Sequence, residues 1–373
     1  LTLALGVGAT TTLFSVLQAV VLNPLPFQSS ERLVDIATTS QGEPGAISAG
    51  NYFLIRNTAR SFERIAARSG ATFNLAGSGD PERVQAAHVT AGYFKVLGAA
   101  PALGRVFTAD DDVAGRARVA VFSHRLFARR FGSDPGILGR TIQLSGQPYV
   151  VLGVMPETFR IPEDATELWT PLALIEVGAS FDASYLTVTA RLKDDVTDAA
   201  LAADVQSLNR VLLEAAPREN NGRSLAVSRL LDQIVGDYRQ RLYVLLGAVS
   251  LVFLIACVNV ASLLMARGAA RQREISVRAA LGANRLRIAR QLMTEAFVLC
   301  ALGTLAGLAL AALALPVLVS QSPGDVPRLA EASINAPVLL TASALALVAT
   351  LLAGLAPALR ESRAGLTAGA AQA

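Results

Sequence analysis

The sequence predicts an α-helical transmembrane bundle of four spans, with a large α+β extracytoplasmic domain inserted between spans 1 and 2. The 373-residue chain is 52% hydrophobic and has a mean hydropathy of +0.45, which is too apolar for an ordinary soluble domain. Its apolar residues are concentrated in four runs, each longer than the ~20 residues that a helix needs to cross a bilayer. The predicted spans are residues 1–22, 241–266, 296–319 and 336–359.

The loop between the second and third spans, residues 267–295, sets the predicted topology. Between Arg267 and Arg290 it holds one acid, Glu274, and arginines at positions 267, 271, 273, 278, 285, 287 and 290. Arginine-rich loops next to a span stay on the cytoplasmic side. The sequence therefore predicts that the N-terminus, this loop and the tail 360–373 lie inside, and that residues 23–240 and 320–335 lie outside.

The same loop predicts two short helices at the membrane surface. Apolar residues recur among its arginines at helical spacing, and the sequence Leu-Gly-Ala-Asn at 281–284 separates two such segments. Gly282 permits the positive φ of a sharp bend, and Asn284 can cap the following helix. The alternative is a solvated basic loop that only sets the topology of the spans.

The extracytoplasmic domain, residues 23–240, begins where Pro24 and Pro26 end the first span. Each end of it has a strand–helix–strand pattern, at 32–37, 48–59 and 72–76 and again at 185–192, 197–216 and 224–230. We expect an inserted subdomain at about residues 82–184, with strands at 83–90, 117–122, 141–144 and 149–155 and a helix at 123–131. The domain has no cysteine, so disulfides do not hold it together.

Small and polar residues in the spans predict close packing of helices in the membrane. Gly6 and Gly8 in span 1, and Gly303 and Gly307 in span 3, have the spacing of small residues at helix contacts. In Ala- and Gly-rich segments the same spacing also arises by chance. Asn259 in span 2 favours a hydrogen bond between helices over a transport path, because a polar residue in a span usually faces other helices.

The sequence contains no pattern for catalysis, a cofactor or a metal. An ATP-binding loop needs a GxxxxGK[ST] motif, and neither of the two lysines, Lys95 and Lys193, follows such glycines. The chain is therefore not expected to be an enzyme. His88 and His124 are too far apart for a zinc site, and the aspartates at 110–112 lack the spacing of a calcium loop. Without a basic stripe interleaved with aromatics, nucleic-acid binding is not expected.

Three segments carry a resemblance to a known family. Residues 273–283 read REISVRAALGA and resemble the REIxxRxALGA segment of MacB/FtsX-type ABC transporter permeases. Residues 255–261 read IACVNVA and resemble the family's IACxNVAN run, with Ser262 in place of its final Asn. Residues 3–9, with Phe14 and Ser15, resemble its first span. The resemblance implies a multi-pass protein of the bacterial inner membrane with a porter-like periplasmic domain.

The resemblance also implies how the arginine-rich loop acts. In this family the segment docks on a separate ATPase subunit, so the expected contact residues are Arg273, Glu274, Ile275, Arg278, Leu281, Gly282 and Ala283. Further expected partners are the lipid bilayer, a second permease unit in a homodimer or pseudo-dimer, and a periplasmic or outer-membrane protein. Because the chain starts at Leu1, we expect a fragment without its native N-terminus.

The expected function is efflux, in which ATPase movement is transmitted through the membrane to the periplasmic domain. The size of that domain favours export over the alternative, a non-transporting transmembrane regulator that activates or senses an outside partner. A defective fragment is a third interpretation. The sequence does not identify the substrate.

Overall fold

A computed structural model describes residues 1–77, 80–116, 118–159, 165–236, 238–270, 285–321, 326 and 328–352. The chain falls into two compact units. The first, called the helical unit, joins Leu1–Asn23 to the chain from Val235 onward. The second, called the α+β unit, is Pro24–Ile234.

The helices and strands are numbered separately in chain order. The helices are α1 (Thr2–Leu17), α2 (Ala49–Thr58), α3 (Tyr93–Leu97), α4 (His124–Phe131), α5 (Asp198–Ala215), α6 (Leu230–Val235), α7 (Tyr238–Ala270), α8 (Arg285–Gln321) and α9 (Ala336–Leu352). The strands are β1 (Leu33–Ser40), β2 (Glu43–Gly45), β3 (Ile47–Ser48), β4 (Phe62–Ala76), β5 (Glu82–Val89), β6 (Leu103–Gly104), β7 (Val119–Phe122), β8 (Thr141–Leu144), β9 (Gln147–Val154), β10 (Leu168–Pro171), β11 (Ser184–Leu192) and β12 (Arg223–Arg229).

Three helical segments of the helical unit are long and apolar enough to cross a membrane. They are Thr2–Leu22, Tyr238–Arg267 and Met293–Gln321. The fourth predicted span, 336–359, is described only through Leu352, and this part forms the shorter apolar helix α9. The number of four spans therefore stays a prediction.

The start of α8 differs from the sequence-based prediction. A separate surface helix was expected before the third span, whereas Arg285–Gln321 is one continuous helix of 37 residues. Residues 285–295 contain no Gly or Pro and consist mostly of good helix formers, so nothing ends the helix before the apolar run. The long helix α7 likewise has 33 residues, which reach about 50 Å at ~1.5 Å per residue and exceed the ~30 Å of hydrocarbon.

The α+β unit is built on one twelve-stranded sheet. At one end its order is β12-β1-β11-β4, and all these neighbours are antiparallel. The chain passes from β1 through α2 to β4 and from β11 through α5 to β12, so two βαβ crossovers interlock. Both helices pack on one face of the sheet through a core that includes Tyr52, Ile55, Leu208 and Leu212.

Beyond β4 the sheet continues without a break as β5-β10-β7-β9-β6. The strand β4 connects the two parts, since its 15 residues pair first with β11 and then with β5. The second part has a core of its own around Phe122, Leu126 and Leu144. The predicted subdomain boundary near residue 82 thus falls between two paired strands of one sheet, and the division into subdomains stays a prediction.

Three helices of the α+β unit begin at caps that are visible in the sequence. The hydroxyls of Ser48, Ser123 and Thr197 accept hydrogen bonds from backbone N–H groups three residues later. Such caps satisfy donors that a helix start leaves free. On the opposite face of the sheet, α3 contributes to a core rich in aromatic side chains, among them Phe94, Phe159 and Trp169.

Candidate functional site

The predicted ATPase-contact residues lie in the segment between α7 and α8. Residues 271–284, called the coupling segment, are outside the described residues. This holds for all seven predicted contacts, Arg273, Glu274, Ile275, Arg278, Leu281, Gly282 and Ala283. The structure describes the two helices that flank the segment, and the packing of these helices determines where its movement could go.

Helix α1 meets α8 with backbone against backbone. A Cβ added to Gly8 would lie 3.0 Å from the carbonyl oxygen of Gly307. A Cβ added to Gly307 would lie 2.9 Å from the carbonyl oxygen of Ala4 and 3.0 Å from the Gly8 nitrogen. At Gly303 an added Cβ would lie 2.8 Å from Cδ2 of Leu3. A side chain at Gly307 would therefore force the helices to shift, and one at Gly8 would fit only tightly against the backbone of Gly307.

Helix α1 also contacts α7. A Cβ added to Gly6 would lie 3.3 Å from Cα of Phe253 and 3.4 Å from Cβ of Ala256. A buried apolar cluster joins α1 to three other helices through Leu3, Val7, Phe253, Cys257, Cys300 and Ala349. Helix α1 thus packs directly against both helices that flank the coupling segment.

The hydroxyl groups of α1 are mostly bonded within the helix itself. Thr10 donates to the Gly6 carbonyl at 2.8 Å, Thr12 to Gly8 at 2.8 Å and Ser15 to Thr11 at 2.9 Å. Polar groups inside a bilayer must be satisfied by protein because no water is present there. These side chains add little bulk, so they are compatible with the close approach of the helices.

The end of α1 is tied to the loop between α8 and α9. Gln18–Leu22 forms a π-helical turn, which is rare and often marks a functional position. Next to it, the Arg328 side chain is only 2% exposed and its Nη1 donates to the Asn23 carbonyl at 2.6 Å. Its Nη2 also donates to Glu331 at 2.8 Å. Sequence reasoning missed this contact, because a single arginine in a short loop gives no pattern.

Asn259 is exposed on α7. The sequence predicts that its amide faces other helices, and within the described part of the chain no helix buries it, so this stays a prediction. Large apolar side chains of α7 near it in sequence are exposed as well, among them Ile255, Val258 and Leu263. This surface is accessible to lipid or to another chain.

Two neighbouring aspartates and one histidine of the α+β unit are engaged in structural hydrogen bonds. Asp111 accepts from Arg105 at 2.5 Å, a bond that lowers the pKa of this carboxyl to about 2. Asp112 accepts from the backbone N–H groups of Ala91 and Ala173. His88 Nδ1 lies 2.7 Å from the Thr170 hydroxyl. Among the described residues, no three His, Cys, Asp or Glu side chains are gathered as metal ligands.

Asp35 is the most perturbed carboxyl of the α+β unit. It is 5% exposed and lies on β1, which pairs with a strand on each side. Burial raises the pKa of Asp35 from its ordinary 3.8 to about 6, and the charge of Arg68 opposes this rise. The residue therefore changes charge at mildly acidic pH while it is inside the sheet.

The long apolar helices joined to a large α+β unit define a membrane protein with an extracytoplasmic domain. Two family models then identify the kind of protein. The MacB-like periplasmic core domain matches residues 1–208, and the FtsX-like permease C-terminal domain matches residues 246–365. The chain belongs to the MacB/FtsX-type permeases, and the family resemblance predicted from the sequence is confirmed.

The chain is also similar to curated proteins and to solved structures. The macrolide export ATP-binding/permease protein MacB of Burkholderia thailandensis is 28% identical over 225 residues, which are 58% of this chain and 33% of the relative. MacB of Neisseria meningitidis is 27% identical over 226 residues, 59% of this chain and 34% of the relative. The periplasmic region of MacB from Actinobacillus actinomycetemcomitans covers 58% of this chain and 95% of that structure, with 15% identity and a TM-score of 0.43. The chain spans about a third of the length of the curated relatives it matches.

Proposed function

We propose that the chain is the permease of an ABC-type export system and transmits the movement of an ATPase through the membrane to the α+β unit. The observation that carries this proposal is the position of α1. It packs at short range against α7 through Gly6 and against α8 through Gly8 and Gly307. These two helices flank the coupling segment, and the chain leaves α1 directly into the α+β unit.

Movement of either helix next to the coupling segment, α7 or α8, would therefore be passed to α1 by direct contact. A close backbone contact transmits displacement better than a contact between flexible side chains, because packed interfaces deform little. The loop contact of Arg328 with Asn23 supports the same route at the opposite end of α1. Movement of α7 or α8 would reach the first residues of the α+β unit through this helix.

In this proposal the coupling segment binds a separate ATPase subunit. Arg273, Glu274, Ile275, Arg278, Leu281, Gly282 and Ala283 form the contact, with Gly282 at the bend between two short stretches. The arginines supply positive charge for an acidic surface of the ATPase or for lipid phosphate. The family resemblance of residues 273–283 supports these roles.

The proposed setting is the bacterial inner membrane, with four spans and the α+β unit in the periplasm. The exposed Asn259 supports a homodimer, because a polar amide in a span is satisfied by another helix and not by lipid. In this proposal a periplasmic or outer-membrane partner would bind the α+β unit.

The test uses the full-length permease co-expressed with the ATPase of the same system. We compare the unchanged permease with an Arg278→Glu/Gly282→Val double variant. The matched control is Arg210→Glu/Gly247→Val, because Arg210 is exposed on α5 and a Cβ at Gly247 meets no atom within 4 Å. We expect the ATPase to co-purify with the permease and the control, and the coupling variant to lose both association and permease-stimulated ATP hydrolysis.

Equal association of all three permeases with the ATPase would contradict the proposed contact. Association of none of them would contradict the ABC-type function as a whole and would favour a membrane-anchored regulator. A fully active complex that moves no substrate, but activates an outside hydrolase, would support the regulator as well. Each of these results leaves the membership in the permease family unchanged.

A further inference from the structure

A small cavity lies in the α+β unit between α2, the start of β4 and α3. Its volume is about 280 Å³, slightly below the ~300–1,000 Å³ of pockets for drug-sized ligands. Phe62, Ile65 and Val96 belong to its lining. Val96 is 0% and Phe62 7% exposed, so the apolar surface that a ligand can reach comes from the half-buried Ala59 and Ile65 and from the edge of Phe62. The cavity therefore has an apolar floor fixed by well-packed residues.

The charged residues that line the cavity are mostly cations. Arg56, Arg64 and Lys95 line it together with one carboxylate, Glu63, so the lining carries three positive charges and one negative charge. Glu63 is already shared, since it accepts from Arg32 at 2.8 Å and from Arg64 at 3.2 Å. The ammonium group of Lys95 has no ion-pair partner within the described part of the chain.

A fourth cation lies directly behind the cavity wall. Arg191 on β11 is paired in register with Arg64 on β4. Its residue is 6% exposed, and its Nε donates to the carbonyl of Val96, which lines the cavity. Its Nη2 has no hydrogen-bond partner among the described residues. Like charges at paired positions of neighbouring strands are unfavourable, so an anion near Arg64 would relieve this repulsion.

We propose that this cavity binds a small organic acid, in which a carboxylate is carried on a compact apolar body. The carboxylate would lie at the rim and accept charge-assisted hydrogen bonds from Arg64 and Lys95. The apolar body would lie against Ala59, Ile65 and the edge of Phe62 on the floor. Arg56 closes the side toward α2, where its guanidinium stacks over the Phe53 ring at 4.8 Å and pairs with Glu176.

The chemistry of the lining disfavours other simple ligands. A cation would meet three positive charges and one carboxylate that already accepts from two arginines, with a further positive charge behind the wall. A neutral apolar molecule would gain no charge-assisted hydrogen bond from the rim. Inorganic phosphate would match the charges but would not cover the apolar floor.

The experiment uses the two lysines of the chain as reporters. Lys95 lines the cavity, and Lys193 is exposed and does not line it. The purified full chain in neutral detergent is acetylated with an amine-reactive ester, with increasing benzoate as the probe, and the rate at each lysine is measured by mass spectrometry. We expect benzoate to slow acetylation of Lys95 in a saturable manner and to leave the rate at Lys193 unchanged.

Two further probes separate charge from apolar contact. Benzyl alcohol has the same ring without the carboxylate, and inorganic phosphate has charge without the ring, so neither should protect Lys95 at the benzoate concentrations that do. Equal slowing of both lysines by benzoate would overturn the proposal, because it would reflect a general salt effect. Equal protection by phosphate or by benzyl alcohol would overturn the assignment to an organic acid.

A substitution tests the role of the rim. Arg64→Gln should raise the Kd of benzoate by about tenfold, the value of one charge-assisted hydrogen bond of roughly 1.4 kcal/mol. The matched control is Arg210→Gln, since Arg210 is exposed on α5 and away from the cavity lining. Thermal unfolding of both variants checks that they fold. An unchanged Kd in folded Arg64→Gln would contradict the proposed site.

Discussion

Different interactions stabilise the interior of the helical unit and the interior of the α+β unit. In the helical unit, Gly8 and Gly307 let two helix backbones approach so closely that a Cβ added to either would lie 2.9–3.0 Å from a backbone oxygen of the other helix. The hydroxyls of Thr10 and Thr12 bond within their own helix. In the α+β unit, apolar cores on both faces of a sheet are combined with buried charges such as Asp35 and Arg191. The stability of the helical unit should therefore depend on side-chain volume, and the stability of the α+β unit should depend on pH and charge as well.

Within the helical unit, the three long spans also differ from one another. In the most apolar window of Thr2–Leu22, 67% of the residues are buried, against 22% for Tyr238–Arg267 and 28% for Met293–Gln321. The first span also has the most Ser and Thr residues, five, against two in Tyr238–Arg267 and three in Met293–Gln321. Ser and Thr residues therefore mark the most buried helix, whereas the more uniformly apolar helices offer their surface to lipid or to another chain.

The two units carry separate natural reporters. Both cysteines of the chain, Cys257 and Cys300, are buried in the helical unit. The single tryptophan, Trp169, is buried in the α+β unit. Thermal unfolding can therefore be followed by thiol reactivity for the helical unit and by tryptophan fluorescence for the α+β unit.

The largest expected effect is a loss of stability in Gly307→Val. The added side chain would overlap the backbone of α1, and overpacking of this kind costs about 3 kcal/mol. We expect Cys257 and Cys300 to react at a clearly lower temperature, with a smaller change in the Trp169 signal and no dependence on pH. Gly247→Val is the control, because no atom lies within 4 Å of its added Cβ. Equal shifts in the two variants would show that the close contact does not hold the helices together.

The next largest effect is a pH-dependent gain of stability in Asp35→Asn. With a folded pKa of about 6 and an ordinary value of 3.8, the folded state binds the proton more tightly than the unfolded state. The contribution of Asp35 is therefore most favourable below about pH 4 and is lost as the pH rises to about 6. We expect the variant to be more stable by about 1–2 kcal/mol at neutral pH, followed by Trp169 fluorescence, with no gain below about pH 4.

The control for this change is Asp182→Asn, at an exposed aspartate. Both proteins are unfolded by denaturant at several pH values. A gain in Asp35→Asn that is independent of pH, or a loss at neutral pH, would contradict the assignment of a raised pKa to Asp35.

The smallest effect is expected for Glu167→Gln. The Glu167 side chain is 11% exposed and accepts from Arg129 at 2.9 and 3.1 Å. Glu167 also pairs with Arg125 at 3.5 Å. Loss of its charge should lower the free energy of unfolding of the α+β unit by about 1 kcal/mol, and by less at high salt. The control is Glu214→Gln, at an exposed glutamate. A larger shift in the thiol signal than in the Trp169 signal would contradict the view that the two units are stabilised independently.

Much of the fold could be predicted from the sequence because its local signals are strong. Strand β8 was predicted at 141–144 and is Thr141–Leu144, and the predicted helix at 123–131 is α4 with Ser123 as its cap. The five-residue helix α3 was missed because one turn carries no helical period, and strand β10 was missed because its sequence Leu-Trp-Thr-Pro does not alternate and ends in proline. The first half of β4 was missed because its charged and alanine-rich sequence does not alternate, and it is held by pairing with β11.

The candidate site could be predicted only in part. The spacing of Gly6, Gly8, Gly303 and Gly307 marked one helix face, but which backbone each glycine meets depends on the arrangement of helices that are far apart in sequence. The Arg328 contact with Asn23 joins positions 305 residues apart and has no local signature. Asn259 is exposed because the described helices approach α7 on another side, so the expected contact of its amide with a further helix stays a prediction.

The central claim, that α1 transmits movement from the coupling segment to the α+β unit, is tested most directly by hydrogen exchange. The full-length permease in complex with its ATPase is compared with and without ATP, as wild type, Gly8→Ala and Gly247→Ala. A Cβ at Gly8 meets the Gly307 carbonyl oxygen at 3.0 Å, whereas one at Gly247 meets nothing within 4 Å. We predict that ATP changes exchange in the α+β unit of the wild type and of Gly247→Ala, and that Gly8→Ala loses this change while the complex still hydrolyses ATP. A full ATP-dependent change in Gly8→Ala would contradict the route through α1.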